Sequence, residues 1–405
     1  MATIICNFAE LAMQVFNTSQ KVIITCNKRL SPYLQQEVKA LGYPIKRAFS
    51  TGVELLATVN DCITLNLNLY CASQVLYAIK SFSAKDASAL YNEVKAIAWE
   101  ELLDFNGYFS VNSNVDNETI STPLFANLKV KDAIVDRIKE QKGVRPNTGP
   151  ELNKAVVHLF WKDDQATIYI DTSGETLAKH GYRKLPGKAP MLEALASGVI
   201  FASEWDKKSA FVNPMCGSGT MAIEAALMAT NRKPGLFRMN YAFMHLLGYD
   251  EQIFFAARRK LKEQVLKQPD LKIIASDIDP DAVRTAQANA KTAGVDQLIT
   301  FEVCDFSQTT IPEAPGVIIF NPEYGERLGI HSKLELTYKR VGDFMKQECK
   351  GYRGFVFTGN PDLAKKIGLQ TYRRTEFYNG KLDCRLLAYE LYDGSRRNPK
   401  TTPDA

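Results

Sequence analysis

A chain of 405 residues that is 45% hydrophobic is long enough for two or three domains with packed cores, and its net charge of +5 permits a nucleic-acid partner without demanding one. Its eight cysteines form no C-x-x-C pair and no His/Cys cluster, which argues against a zinc site, so no metal is expected and a reducing compartment fits. No run approaches a transmembrane helix, and the N-terminus lacks a basic stretch followed by an apolar run and a cleavage site; a soluble, cytoplasmic protein is expected.

Residues 1–20 show no firm pattern and are expected to form a loose arm. From Lys21, Val-Ile-Ile-Thr-Cys predicts a strand. Residues 30–41 have helical spacing, opening at Ser31-Pro32 and closing at Gly42. Strand-like runs at 45–49 and 52–58 complete a small α+β, ferredoxin-like module over 21–64. In a second unit, 65–172, the spacing predicts a helix over 67–80, an amphipathic stretch over 89–102 with Trp99 on its apolar side, and a strand over 108–115. An amphipathic helix over 125–139 follows, with Leu128, Ala133, Ile134 and Ile138 near one face, then strands over 155–161 and 166–171.

Strand, basic helix and strand pair resemble a THUMP domain, a module of RNA-modifying proteins, most closely in Asn127-Leu-Lys-Val-Lys-Asp-Ala-Ile-Val-Asp136. Lys129, Lys131, Lys139, Lys142 and Arg145 could form a face for a phosphate backbone. A solvated helix surface is the competing reading, because Asp132, Asp136 and Glu140 are interleaved; the resemblance favours RNA. Residues 173–190 read as a basic linker without an acid from Thr176 onward. Arg183, Lys184 and Lys188, with Tyr182 among them, suit a contact with nucleic acid or a plain linker.

The third region, 191–392, opens with a helix over 191–202 and is organised around Phe211-Val-Asn213-Pro-Met-Cys-Gly-Ser-Gly-Thr220 and the alanine-rich stretch behind it, which read as strand, glycine loop and helix. Gly217 and Gly219 allow φ > 0 and let a ligand approach the backbone, while the helix start offers unpaired N–H groups. An aromatic-rich insertion, 231–270, ends in a basic helix; a packed flap and an RNA-facing lid are both tenable. The strand at 273–277 runs into Asp279-Pro280, a helix start, with its helix over 282–293. Strands at 299–303 and 317–320 lead to Asp305 and to Asn321-Pro-Glu-Tyr324; a helix over 334–346, a strand at 355–358, a short helix over 363–367 and a hairpin-like region over 375–389 follow. The end, 393–405, is expected to be disordered.

Three strands that release polar residues at the same end describe an open parallel sheet, with a ligand in the crevice beyond the strand ends. Asp277 and Asp279 come about sixty residues after the loop rather than the roughly twenty of a dinucleotide fingerprint, and the loop is not G-x-G-x-x-G, so a dehydrogenase fits poorly.

These stretches resemble the class I S-adenosylmethionine-dependent methyltransferases with an Asn-Pro-Pro-Tyr signature, written here Asn321-Pro-Glu-Tyr324. Over about 21–392, and most specifically in 213–220, in Asn321-Pro-Glu-Tyr-Gly-Glu-Arg-Leu328 and in Asn379-Gly-Lys-Leu-Asp-Cys384, the chain is similar to the bacterial enzymes that methylate guanine N2 in 23S ribosomal RNA, in the form without a fused second methyltransferase half. The resemblance implies an α/β, Rossmann-like methyltransferase sheet behind an α+β RNA-binding region, S-adenosylmethionine as cofactor and RNA, 23S rRNA above all, as partner. It also implies that Asp305 meets the adenine amino group and that helix 191–202 closes over the methionine end.

Within that frame Asn213, Cys216, Gly217 and Gly219 would line the methionine end, with Pro214, Thr220 and Asn321 in the same cofactor site. Asp277 can accept from two vicinal ribose hydroxyls, Asp279 is assigned a capping role, and Ile278 would pack on the adenine. The Asn321 side-chain carbonyl and the Pro322 backbone carbonyl would accept from an exocyclic amine and localise its lone pair. Tyr324 would stack on an extruded base, worth roughly 1–3 kcal/mol. Glu323 stands where the family has proline; either its side chain points to solvent, the favoured outcome, or the pocket suffers. Guanine-N2 methylation of tRNA, adenine-N6 methylation and an RNA-binding factor silenced by Glu323 are the alternatives.

Overall fold

The computed structural model describes residues 15–120, 122–185, 191–267, 270–324 and 331–392. Residues 1–14 of the expected arm, Lys188 and the tail from 393 lie outside the described residues. Two compact units are present: Met1–Tyr182 with Leu192–Gly198 and Thr230–Lys267, and Arg183–Met191 with Val199–Ala229 and Gln268–Ala405.

In chain order the elements are β1 (Gln20–Thr25), α1 (Ser31–Ala40), β2 (Ile45–Phe49), β3 (Gly52–Ala57), α2 (Val59–Asn68), β4 (Gln74–Ser83), α3 (Ala87–Lys95), β5 (Tyr108–Asp116), α4 (Pro123–Lys142), β6 (Asn147–Thr148), β7 (Ala155–Lys162) and β8 (Gln165–Asp171). They continue with α5 (Glu193–Ala202), β9 (Ala210–Pro214), α6 (Thr220–Ala229), α7 (Glu251–Glu263), β10 (Ile273–Asp277), α8 (Pro280–Ala293), β11 (Ile299–Val303), β12 (Gly316–Phe320), α9 (His331–Glu348), β13 (Tyr352–Thr358), α10 (Pro361–Lys366), β14 (Arg373–Asn379) and β15 (Leu382–Glu390). Among the described residues no helix is long and apolar enough to cross a membrane.

The first unit holds one eight-stranded sheet, β2-β3-β1-β4-β8-β7-β5-β6. Because β4 pairs antiparallel with both β1 and β8, the two modules expected at 21–64 and 65–172 share a sheet, and the expected boundary falls inside α2. The helix expected over 67–80 is a correction. Thr58 and Asp61 form a capping box, Asp61 N–H to Thr58 Oγ1 at 3.0 Å and Thr58 N–H to Asp61 Oδ2 at 2.8 Å, which starts α2 earlier, at Val59. The apolar run 75–79 fits either period, and pairing with β1 and β8 makes it a strand.

On α4 the buried side is Ala126, Val130, Ala133, Ile134, Val135 and Ile138, while Leu128, expected on that side, is 44% exposed. The insertion is a packed part of the first unit. Tyr241 stacks on Phe243 at 5.1 Å, and buried Arg258 of α7 donates to the carbonyls of Gly235, Leu236 and Arg238.

The second unit holds the seven-stranded sheet β11-β10-β9-β12-β13-β15-β14. The five strands from β11 to β13 run parallel and β15 is antiparallel to its neighbours. Val212, Ile318, Phe320, Tyr338, Val356 and Leu387 are in the core on the β12 side. From β9 the chain moves outward to β10 and β11, then returns to β12 on the other flank. Such a reversal leaves a crevice at the carboxyl ends of β9 and β12.

Candidate active site

The loop after β9 turns through three left-handed residues, Met215 (φ 55°), Gly217 (φ 55°) and Gly219 (φ 78°). The two glycines serve different ends. A Cβ on Gly219 would lie 2.7 Å from the Cβ of Ala286, so this glycine lets the start of α6 pack against α8. A Cβ on Gly217 would meet nothing within 4 Å, so this backbone is the one open to a ligand. Met215, with a side chain, stores strain at the same turn.

Asp277 at the end of β10 fastens this loop. Gly217 N–H donates to its Oδ2 at 2.9 Å and Asp279 N–H to its Oδ1 at 3.0 Å, while Cys216 N–H reaches the carbonyl of Ser276 at 2.9 Å. Each carboxylate oxygen keeps a further lone pair. Asp279 is the N-cap of α8, accepting from Asp281 N–H at 2.8 Å. Ile278 between them is 69% exposed, an unusual place for an aliphatic side chain. Burial, then the Asp277 carboxylate, pushes the Cys216 thiol far above its ordinary range, and burial raises Cys304 as well; neither is poised as a thiolate.

Asp305, past β11, uses Oδ1 for Ser307 N–H (3.0 Å), Ser307 Oγ (2.6 Å) and the Arg340 guanidinium (2.6 Å). Burial alone would raise its pKa, but the Ser307 bonds and Arg340 hold it below the ordinary carboxylate value.

On the other side of the crevice, Asn213 Nδ2 donates to the Ile319 carbonyl at 2.9 Å, joining β9 to β12 two residues before Asn321. The Oδ1 atoms of Asn213 and Asn321 are both buried and meet no donor among the described residues. Pro322 is buried and the Glu323 side chain is exposed, while the Glu323 carbonyl accepts from the Tyr338 hydroxyl at 3.4 Å. Tyr324 is half-buried. Its hydroxyl accepts from Asn379 Nδ2 at 2.9 Å, and burial pushes its pKa up to about 12. Residues 325–330 of the same motif lie outside the described residues.

The expected basic face is mixed. Lys131 pairs with Asp132 at 3.2 Å, and Lys129 and Lys142 lie over the rings of Phe125 and Phe105 at 5.4 and 5.9 Å. Two of the three interleaved acids are occupied by α3: Asp136 accepts from the Tyr91 hydroxyl and Glu140 from Lys95, each at 2.6 Å. Arg145 and Lys184 are exposed. Arg183, expected to contact nucleic acid or to lie in a plain linker, is half-buried. Its guanidinium donates to the Met191 carbonyl at 2.5 Å and to Thr220 Oγ1 at 2.8 Å, bracing the first residue of α6. Sequence reasoning missed this contact and that of Asn379; the Asn379–Cys384 motif was visible but carried no sign of its partner.

An open Rossmann-like sheet of this order, with a glycine turn at the end of its central strand, is the architecture of a class I methyltransferase. Residues 180–388 match the family model described as RMKL-like, methyltransferase domain; 84–171 match the THUMP domain and 21–76 the RlmL ferredoxin-like domain. The chain belongs to the RMKL-like methyltransferase family, whose donor is S-adenosylmethionine.

It is 35% identical over 382 residues to the ribosomal RNA large subunit methyltransferase K/L of Syntrophotalea carbinolica, covering 92% of this chain and 53% of that protein. The chain thus spans about half the length of the curated relatives it matches. Among solved structures, SMU.472, assigned as a methyltransferase and complexed with S-adenosylhomocysteine, superposes with a TM-score of 0.84 at 26% identity, over 93% of this chain and 99% of that one. A protein of Listeria monocytogenes str. 4b F2365, assigned as an N6-adenine-specific DNA methylase, does so with a TM-score of 0.84 at 28% identity, over 93% and 97%.

Proposed function

We propose that this chain methylates the exocyclic N2 of a guanine in 23S rRNA, in the cytoplasm, on a base extruded from its helix. The observation that carries the reading is the Asn321 Oδ1, buried and without a donor among the described residues: such an acceptor left unmet costs about 1–3 kcal/mol, and an exocyclic amine would satisfy it.

The residues present fit the cofactor. The Gly217 backbone is open on the ligand side, the spare lone pairs of Asp277 suit the ribose diol, Ile278 offers an apolar surface for the adenine, and Asp305 keeps Oδ2 clear of the bonds made by its Oδ1. When bound, S-adenosylmethionine supplies an electrophilic methyl group. A guanine amine is a weak nucleophile because its lone pair is delocalised into the ring. Asn321 Oδ1 and the Pro322 carbonyl, aimed at its two hydrogens, localise that pair and stabilise the positive charge that grows on nitrogen. Position is the rest of the catalysis, and Tyr324 supplies it by stacking. Glu323, exposed, leaves this arrangement intact, which speaks against a silenced site.

Adenine-N6 methylation is the second reading, favoured by the assignment of the Listeria relative, because the same two acceptors suit that amine. Nucleoside mass spectrometry on rRNA and tRNA from a deletion strain separates these outcomes. Loss of N2-methylguanosine from 23S rRNA is expected; its loss from tRNA alone, or loss of N6-methyladenosine instead, overturns the target. Failure of the purified chain to bind S-adenosylmethionine overturns the enzyme reading altogether.

A further inference from the structure

Tyr324 sits on a stretch with no helix or strand of its own, where an aromatic ring would ordinarily exchange between rotamers. Three neighbours from distant parts of the chain restrict it. Asn379, at the end of β14, donates from Nδ2 to the Tyr324 hydroxyl at 2.9 Å. Gly359, just past β13, lies so near the ring that a Cβ there would fall 3.1 Å from Cδ2 and 3.2 Å from Cε2. Tyr338 of α9 holds the backbone, its hydroxyl bonded to Thr358 Oγ1 at 2.8 Å and to the Glu323 carbonyl at 3.4 Å.

Asn379 is itself fixed. It pairs with Leu382 across the tight turn of the β14–β15 hairpin, where Gly380 takes φ 61°. Cys384, buried two residues into β15, places its Sγ 4.0 Å from the same hydroxyl and would lie 3.3 Å from a Cβ on Gly359. The hairpin and the end of β13 therefore grip one edge and the tip of a single ring.

We propose that Asn379 and Gly359 are positioning residues for methyl transfer: together they hold the Tyr324 ring at the angle on which the target base stacks. This rests on the reading of Tyr324 as the stacking residue. The neutral phenol contributes a surface and no proton chemistry, so freedom in its tilt translates into misplacement of the amine before Asn321. A misplacement on the order of 1 Å can cost about 100-fold in rate.

The test is a double-mutant cycle, with kcat and KM measured on rRNA from a strain lacking the gene and cofactor affinity measured by calorimetry. Asn379→Ala is expected to lower kcat at least tenfold while cofactor affinity stays within twofold. In a Tyr324→Phe background, where the hydroxyl is already gone, the same substitution is expected to cost less than twofold more. Asn379→Asp, which can accept from the hydroxyl and so remake the bond in reverse, is expected to recover most of kcat. Gly359→Ala, crowding the ring from the other side, is expected to lower kcat without changing cofactor affinity, and it serves should Asn379→Ala fail to fold. Equal losses from Asn379→Ala in both backgrounds, or no loss in kcat, overturn the clamp alone. Full turnover in Tyr324→Ala overturns the stacking role and the clamp with it.

Discussion

In the first unit, Glu37 and Asp171 are buried carboxylates whose oxygens are met. Glu37 accepts from the N–H groups of Tyr70 (2.7 Å) and Cys71 (2.9 Å); Asp171 accepts from those of Ser173 (2.9 Å) and Gly174 (3.2 Å) and from Gln74 Nε2 (2.7 Å). In the second unit, Asn213 and Asn321 bury amide oxygens that meet no donor among the described residues. The carboxylates hold loops and so maintain shape at the expense of desolvation, which pushes Glu37 up and Asp171 up to about 6. Asn66 in the first unit also has an Oδ1 with no donor among the described residues, but it lies in a helix between core contacts to Cys62 and Thr172, not at the carboxyl end of a parallel strand. Placement at the strand ends is what turns an unmet acceptor into a candidate site.

The largest break in this contrast is Asn321→Ala. It is expected to lower turnover by about 100- to 1,000-fold, the scale seen on removing one preorganised polar group, without lowering the melting temperature and with near-normal cofactor affinity by calorimetry. Surviving turnover would remove Asn321 from the amine. Next comes Asp277→Ala, which loses both the loop tie to Gly217 and the proposed ribose acceptor. Cofactor binding is expected to weaken by roughly 10- to 100-fold, on the scale of one charge-assisted hydrogen bond. Unchanged affinity would leave Asp277 a loop fastener only.

Asp171→Asn sharpens the contrast from the structural side. A carboxyl raised from 3.8 to about 6 binds its proton more tightly in the folded chain than in the unfolded one. That contribution is fully present below pH 3.8 and is lost as pH rises through 6, so at pH 7.5 the buried charge is a burden. The variant is expected to be more stable than the parent by roughly 1–3 kcal/mol at pH 7.5, with the gain gone by pH 4, in denaturant titrations at the two pH values. A gain independent of pH would mean that burial of the charge is not the cause. The smallest effect belongs to Gly217→Ala, where nothing is crowded and only the left-handed turn is strained, at about 1 kcal/mol. Gly219→Ala, which also collides with Ala286, is expected to exceed it in the same melting experiment.

Local signals were legible because a few adjacent residues carry them. The strand, glycine turn and helix around Asn213–Thr220 could be read directly, and Asp279-Pro280 announced a cap, which the hydrogen bond to Asp281 N–H matches. The 3.6- and 2-residue periods were also readable, except where an apolar run such as 75–79 satisfied both, and on α4 the period misplaced Leu128. Pairing with β1 and β8 then decided the matter, and no residue within the run encodes its neighbours.

What only the tertiary structure decided is who faces whom across long separations. Asn379 reaches Tyr324 from 55 residues away, Arg183 reaches Thr220 from 37, and Gly217 and Gly219, alike in sequence, part company because only one has Ala286 against it. Chemical identity and local backbone preference are properties of the chain itself. Which donor meets which acceptor is settled by packing.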